Sequence, residues 1–98
     1  MAKVRSTQEA QADLDSIDRY TIERYGGLAA DDYMLGFDRV FLRLAEFPES
    51  GPVFRNVKPP IRCITHRSHR VFYDFDGETV TIIRVLHHAM NAAKRVKH

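Results

Sequence analysis

The four prolines of the chain, Pro48, Pro52, Pro59 and Pro60, all fall between positions 48 and 60. Proline fixes its own φ and has no N–H to give to a helix or a sheet ladder. The window is therefore an irregular crossing between two proline-free stretches, and the apolar period differs on its two sides. Before it, apolar residues recur every three or four positions, as on one face of a helix. After it, they alternate, as on a strand.

In the first stretch the spacing predicts a helix over 7–25. Ala10, Leu14, Ile17 and Thr21 form its apolar face, with Asp13, Asp15, Asp18 and Arg19 between them. The three aspartates are expected on the solvent side. Ser6 and Glu9 fit a capping box, and Gly26-Gly27 supplies a stop. A second helix is predicted from Leu28 to Phe47, where Tyr33, Phe37, Val40, Leu44 and Phe47 draw one stripe and Phe41 widens it. Gly36 lies off that stripe and is expected only to weaken the helix, by about 1 kcal/mol relative to alanine. The short connection makes the pair an antiparallel hairpin.

The second stretch reads as three strands. Ile61–His66 turns at Arg67-Ser68 into His69–Phe75, and Asp76-Gly77 is a two-residue hairpin signal leading into Thr79–Leu86. Alternation sets Val71, Tyr73 and Phe75 on one face of the middle strand, opposite Arg70, Phe72 and Asp74. Lys3–Arg5 is a candidate edge strand, and 89–96 a further helical turn or two. The order (β)-α-α-β-β-β specifies an α+β domain, with the helical hairpin covering a three- to four-stranded antiparallel sheet.

At 98 residues the chain has the length of one domain, 1–98. It has no apolar run of membrane-spanning length and no signal-peptide core after Met1. Its single cysteine, Cys63, has no disulfide partner within the chain, and a cytoplasmic location is expected. A chain this short has little room for a deep pocket, which favours a binding module, an inhibitor or a small nuclease. Charge is divided. Residues 1–50 carry six Lys/Arg against ten Asp/Glu, net −4, and residues 51–98 carry nine against three, net +6, with all five histidines. Two different binding faces are the expectation.

Several segments match one family in order. Ala12-Asp13-Leu14-Asp15-Ser16-Ile17-Asp18-Arg19-Tyr20 is close to A-x-x-D-L-x-x-I-x-x-Y, and Tyr25-Gly26 to the aromatic-Gly that ends that helix. The run Leu44 to Gly51 resembles L-x-x-x-P-x-x-G. Ile61-Arg62 and Ser68-His69-Arg70-Val71-Phe72-Tyr73 resemble the next two strands, and Ile83-Arg84-Val85-Leu86-His87 resembles I-x-R-V-L-H. Together they resemble the ParE branch of the RelE/ParE toxin superfamily across nearly the whole chain. One departure is Met90-Asn91, where many relatives read Met-Asp.

The resemblance implies the toxin of a bacterial type II toxin–antitoxin system. It implies a hetero-oligomer with a ParD-like antitoxin that carries the DNA-binding part, so DNA is met only indirectly. It implies DNA gyrase as the target, blocked by protein–protein contact without an enzymatic step or a cofactor. On this reading Arg62, Arg70, Phe72, Tyr73 and Arg84 hold the antitoxin, the two aromatics forming an apolar trough and the arginines pairing with its acids. His87, Met90 and Asn91 are the candidate contacts with the target. The RelE-like alternative is a ribosome-dependent mRNA endoribonuclease using Arg62, Arg84 and His87. A third reading is a relative that binds antitoxin without being toxic.

The residues keep other readings open. Arg84 also suits a strand arginine paired with Asp74 or a helix acid, and Arg62 and Arg70 are expected on one sheet face. His87 also suits a histidine bonded to a neighbouring loop. No histidine spacing indicates a metal site. Cys63 reads as a half-buried strand residue. The tail Lys94-Arg95-Val96-Lys97-His98 reads as a solvated end or a DNA contact.

Overall fold

The N-terminal strand decides where the first helix begins. In the computed structural model, which describes residues 1–97, β1 (Lys3–Ser6) pairs in parallel with β5 (Thr79–His87), and Ser6 lies opposite Ile82. Ser6 is thus committed to the ladder, and Thr7 caps α1 (Gln8–Tyr25) in its place. The Thr7 hydroxyl accepts from the Ala10 N–H at 3.0 Å and donates to the Ile83 carbonyl at 2.8 Å. The expected Ser6–Glu9 capping box does not form. The predicted apolar face is the observed one, with Ala10, Leu14, Ile17 and Thr21 buried.

Gly26 takes φ +91, a left-handed value that favours glycine. The chain reverses there into α2 (Gly27–Glu46), which packs along α1. Phe37 and Leu44 of the expected stripe are buried, whereas Phe47 lies just past the helix end and is exposed. Gly36 corrects the sequence reading. A Cβ there would collide with the His66 ring, so glycine is what lets the sheet approach the helix. The His66 Nε2–H donates to the Tyr33 carbonyl at 2.9 Å across that contact.

Five strands form the sheet in the order β1-β5-β4-β3-β2, where β2 is Val53–Phe54, β3 Ile61–His66 and β4 His69–Phe75. The three central strands and the helix hairpin are as predicted. The structure adds the two-residue β2 and makes the β1–β5 pair parallel, so the sheet is mixed. The hairpin covers one face, over Val71, Tyr73, Val80, Ile82 and Val85. A second apolar cluster covers the other, with Val57, Ile61, Cys63, Phe72, Ile83 and Leu86 under Ala92 and Val96. Both faces are therefore dry, and the tail is not a free solvated end. It contains α3 (Ala92–Arg95), and Val96 is buried. His98 lies outside the described residues.

A register irregularity between Phe72 and Tyr73 leaves Ile83 without a partner on β4. An extra residue in one strand reverses the alternation beyond it. Ile82 and Val85 consequently face the hairpin, while Ile83 and Leu86 face the second cluster. Unbroken alternation would group Leu86 with Val80 and Ile82.

Candidate functional site

β1 pairs with β5 only as far as Ile82, so no strand covers the edge of β5 from Ile83 onward. α1 starts beside that gap and brings Asp13 to it. The Asp13 carboxylate accepts from the Val85 N–H at 2.9 Å, from Arg84 Nε at 2.8 Å and from Arg84 Nη2 at 2.9 Å. Arg84 Nη1 donates to the Arg95 carbonyl at 3.0 Å. One arginine thus ties α1, β5 and the C-terminal turn together. The bidentate bond to Asp13 holds the Arg84 pKa above its usual value. Asp13 is not on the solvent side, and Arg84 has the helix acid as its partner.

At the far end of β5 three histidines stand opposite one another. His66 pairs with His69, and His69 with His87, across β3, β4 and β5. His69 Nδ1 lies 2.6 Å from the Tyr33 hydroxyl. Burial, with smaller contributions from His87, His66 and His88, lowers the His69 pKa to about 4. Its ring is therefore neutral at pH 7, and it shares that hydrogen bond with the Tyr33 hydroxyl. Burial also raises the Tyr33 pKa. The His87 ring lies 5.4 Å from His69 and stacks on His88 at 4.4 Å. Its Nδ1 accepts from the Ala89 N–H at 3.1 Å, the loop bond expected for it.

Between the Asp13–Arg84 pair and the histidines, a groove of about 730 Å³ runs from α1 to the start of α2 and the end of β5. Tyr20, Tyr25 and Tyr33 form its aromatic wall. Arg84, His87 and Met90 also line it, as do the exposed Arg67 and Arg95. Tyr20 and Tyr25 are more than half exposed. Neither was singled out from the sequence as a contact residue. The signal was there for Tyr20, which falls off the buried stripe of α1, but not for Tyr25, which continues that stripe by one turn and is exposed at the helix end.

The structure divides the residues nominated from the sequence. Arg84, His87 and Met90 meet in the groove. Asn91 and Arg70 line an adjoining shallow depression with Phe54, Asn56 and, from its other side, Met90, and the Arg70 guanidinium sits 5.7 Å over the Phe54 ring. Arg62 is elsewhere, donating to the carbonyls of Glu49 and Gly51 and pairing with the Glu49 carboxylate at 3.4 Å. It lies opposite Tyr73 and therefore shares the hairpin face, whereas Arg70 shares the face of Phe72. The two arginines do not stand on one face.

Phe72 and Tyr73 do not form a trough, since both have zero exposure. Tyr73 lies under the hairpin, where its hydroxyl accepts from the Gly51 N–H at 2.9 Å. Phe72 packs edge-on against Phe54 at 5.1 Å beneath the C-terminal turn. The reason is the covering of both sheet faces, which buries both rings, while Phe75 at the end of β4 is only half-buried.

Cys63 is buried, which pushes its thiol up to about 11, so it is not a thiolate nucleophile near neutral pH. No group of three or more His, Cys, Asp or Glu among the described residues is arranged to hold a metal ion. Among the described residues, no helix is long and apolar enough to cross a membrane.

Comparison with known proteins agrees with this architecture. Residues 4–92 match the family model described as the ParE toxin of the type II toxin–antitoxin system parDE. Toxin ParE1 of Caulobacter vibrioides is 39% identical over 92 residues, covering 94% of this chain and 95% of that protein. Toxin ParE1 of Mycobacterium tuberculosis is 32% identical over 88 residues, with 89% and 90% covered. A solved structure of a chromosomal ParDE system from P. aeruginosa superposes with a TM-score of 0.76 at 20% identity, covering 89% of this chain and 96% of that one. A family match over residues 4–92, with relatives similar along nearly the full chain, assigns the protein to the ParE family of toxins of type II toxin–antitoxin systems.

Proposed function

We propose that this toxin inhibits DNA gyrase by protein–protein contact in the cytoplasm, without an enzymatic step, and that a ParD-like antitoxin neutralises it by occupying the groove beside β5. The observation that carries the non-enzymatic reading is the separation of the residues nominated for RNA cleavage. Arg62 and His87 lie two strands apart and four positions apart along the ladder. At ~3.3 Å per residue and ~4.8 Å per strand that is about 16 Å between their backbones, and Arg62 is bonded to the Glu49 and Gly51 carbonyls and does not line the groove that His87 lines. Arg84 is committed to Asp13 and to the Arg95 carbonyl.

The groove supports the antitoxin part of the reading. Its aromatic wall of Tyr20 and Tyr25 offers apolar anchors, and the exposed Arg67 and Arg95 suit an acidic amphipathic helix. His87 and Met90 line the same groove. An antitoxin seated there covers these two candidate target contacts, so neutralisation is occlusion.

The test is a supercoiling assay with purified gyrase, run beside cleavage of ribosome-programmed mRNA. Loss of supercoiling with intact mRNA is expected, and adding antitoxin restores supercoiling. Cut mRNA with normal supercoiling overturns the proposal and makes the chain an endoribonuclease. Silence in both assays overturns it in favour of a non-toxic relative.

A further inference from the structure

We infer that the layer over the second face of the sheet is a docking surface for the phosphate backbone of duplex DNA, which this chain meets directly and not only through an antitoxin. The division of charge along the sequence is a division between two layers. The hairpin, residues 8–46, carries four Lys/Arg against nine Asp/Glu, net −5. The segments that cover the opposite sheet face, 53–60 and 88–97, carry five Lys/Arg and no acid, net +5. The sheet thus separates an acidic layer from a basic one.

Packing sets the basic layer's outer surface. Val57, Ala92 and Val96 turn inward onto Phe72, Ile83 and Leu86. The same segments leave Arg55, Lys58, Lys94 and Lys97 exposed. Arg70 joins them from β4, held over the Phe54 ring in the depression that both segments line. None of these five cations makes an ion pair among the described residues. The acids of the second half of the chain, Asp74, Asp76 and Glu78, all sit at the β4–β5 turn. Asp74 is four residues along β4 from Arg70, about 13 Å away. Asp13 and Glu49 are committed to Arg84 and Arg62.

The exposed chemistry selects the occupant. A protein partner is held by apolar anchors at the centre of its interface. Of the large apolar residues exposed in these segments, Val53 stands opposite Arg62 and so faces the hairpin side, and Met90 stands where the groove and the depression adjoin. What remains outside is cations and the amides of Asn56 and Asn91. Such a surface matches a phosphate backbone, whose protein side is polar and strongly positive. Single strands are held by stacking on exposed aromatic rings. The one ring in the depression, Phe54, is half-buried beneath Arg70, which leaves the duplex. The choice of DNA among duplexes rests on the gyrase reading, since a gyrase inhibitor acts beside DNA. A second copy fits less well. Its hairpin would bring four arginines against this layer, whereas a phosphate backbone is negative throughout. The two layers also lie on opposite faces of one chain, so stacking them repeats without closing.

The test is fluorescence anisotropy of the full chain with a labelled DNA duplex, in the absence of gyrase and antitoxin. Five phosphate contacts give a slope of about −4.5 in log affinity against log salt, so affinity is expected to fall about 500-fold between about 50 and 200 mM salt. Lys94→Glu with Lys97→Glu, both at exposed sites, is expected to weaken binding at least tenfold with an unchanged far-UV spectrum, and to make the slope shallower by about 2. Arg19→Glu with Arg39→Glu, exposed on the hairpin, changes net charge equally but beyond the sheet, and is expected to leave affinity within about twofold. Equal losses in the two variants, a slope shallower than about −2, or tighter binding of duplex RNA or of single-stranded DNA overturns the proposal. Self-association in sedimentation that Lys94→Glu with Lys97→Glu abolishes also overturns it, because the occupant is then a second copy. A failure here leaves the supercoiling result standing, and normal supercoiling with DNA binding intact overturns the gyrase reading alone.

Discussion

Replacing Gly36 with alanine separates helix propensity from tertiary packing, because the two predict opposite signs. In an exposed helix, glycine to alanine stabilises by about 1 kcal/mol. Here the new methyl would collide with the His66 ring, which is wedged between β3 and α2. His66 must leave or α2 must lift. Either movement breaks the His66 bond to the Tyr33 carbonyl and opens the ring contacts with Tyr33 at 4.8 Å and Phe37 at 4.7 Å. Overpacking costs ~1–3 kcal/mol, and the lost hydrogen bond adds ~1 kcal/mol. After the helix gain is subtracted, Gly36→Ala should destabilise by about 2 kcal/mol, which lowers Tm by about 8–16 °C in a domain of this size.

In a His66→Ala background the obstacle is gone, and Gly36→Ala should then stabilise by about 1 kcal/mol relative to His66→Ala alone. Urea unfolding of the four proteins, followed by circular dichroism, gives the cycle. A neutral or stabilising Gly36→Ala in the original sequence, or an equal loss in both backgrounds, refutes the reasoning.

Asp13→Ala removes three hydrogen bonds and leaves the Arg84 side chain and the Val85 N–H without their partner; a loss of about 2–4 kcal/mol is expected in urea unfolding. The His69 pKa falls from 6.5 to about 4 on folding, so between those values the unfolded chain holds more protons than the folded one. Stability should therefore be full above pH 6.5 and decline as pH falls toward 4, with screening at this half-buried ring limiting the loss to about 1–2 kcal/mol; His69→Gln should flatten that part of a Tm-against-pH curve. Tyr20→Ala should weaken antitoxin binding by about 30-fold in calorimetry, the effect of an anchor worth ~2 kcal/mol, with little change in Tm. Phe72→Ala should instead cost about 3–5 kcal/mol of stability, read from its unfolding midpoint, as expected for a core aromatic.

The features legible in the sequence are those whose causes are local. The buried face of α1 follows from spacing at 10, 14, 17 and 21, and the reversal at Gly26 from its left-handed φ. The β4–β5 turn follows from Asp76-Gly77, where Gly77 takes φ +100 and the Asp76 carboxylate accepts from the N–H groups of Glu78 and Thr79. Arg84, His87 and Met90 were nominated from the sequence and do line the groove.

The tertiary structure decided everything that joins distant residues. Asp13 and Arg84 are 71 positions apart, and no period in the chain links them. They meet because β1 is too short to cover the edge of β5. Gly36 reads as a weak helix residue until His66 packs on it. Phe72 and Tyr73 have the composition of a binding trough, but alternation says only that they face opposite ways. Whether each face is wet depends on what covers it, and here the hairpin covers one and the C-terminal turn the other. Local conformation is set by short-range sterics and hydrogen bonding, which a sequence window contains. Exposure and ion pairing are set by how separate elements pack, and only the assembled fold contains that.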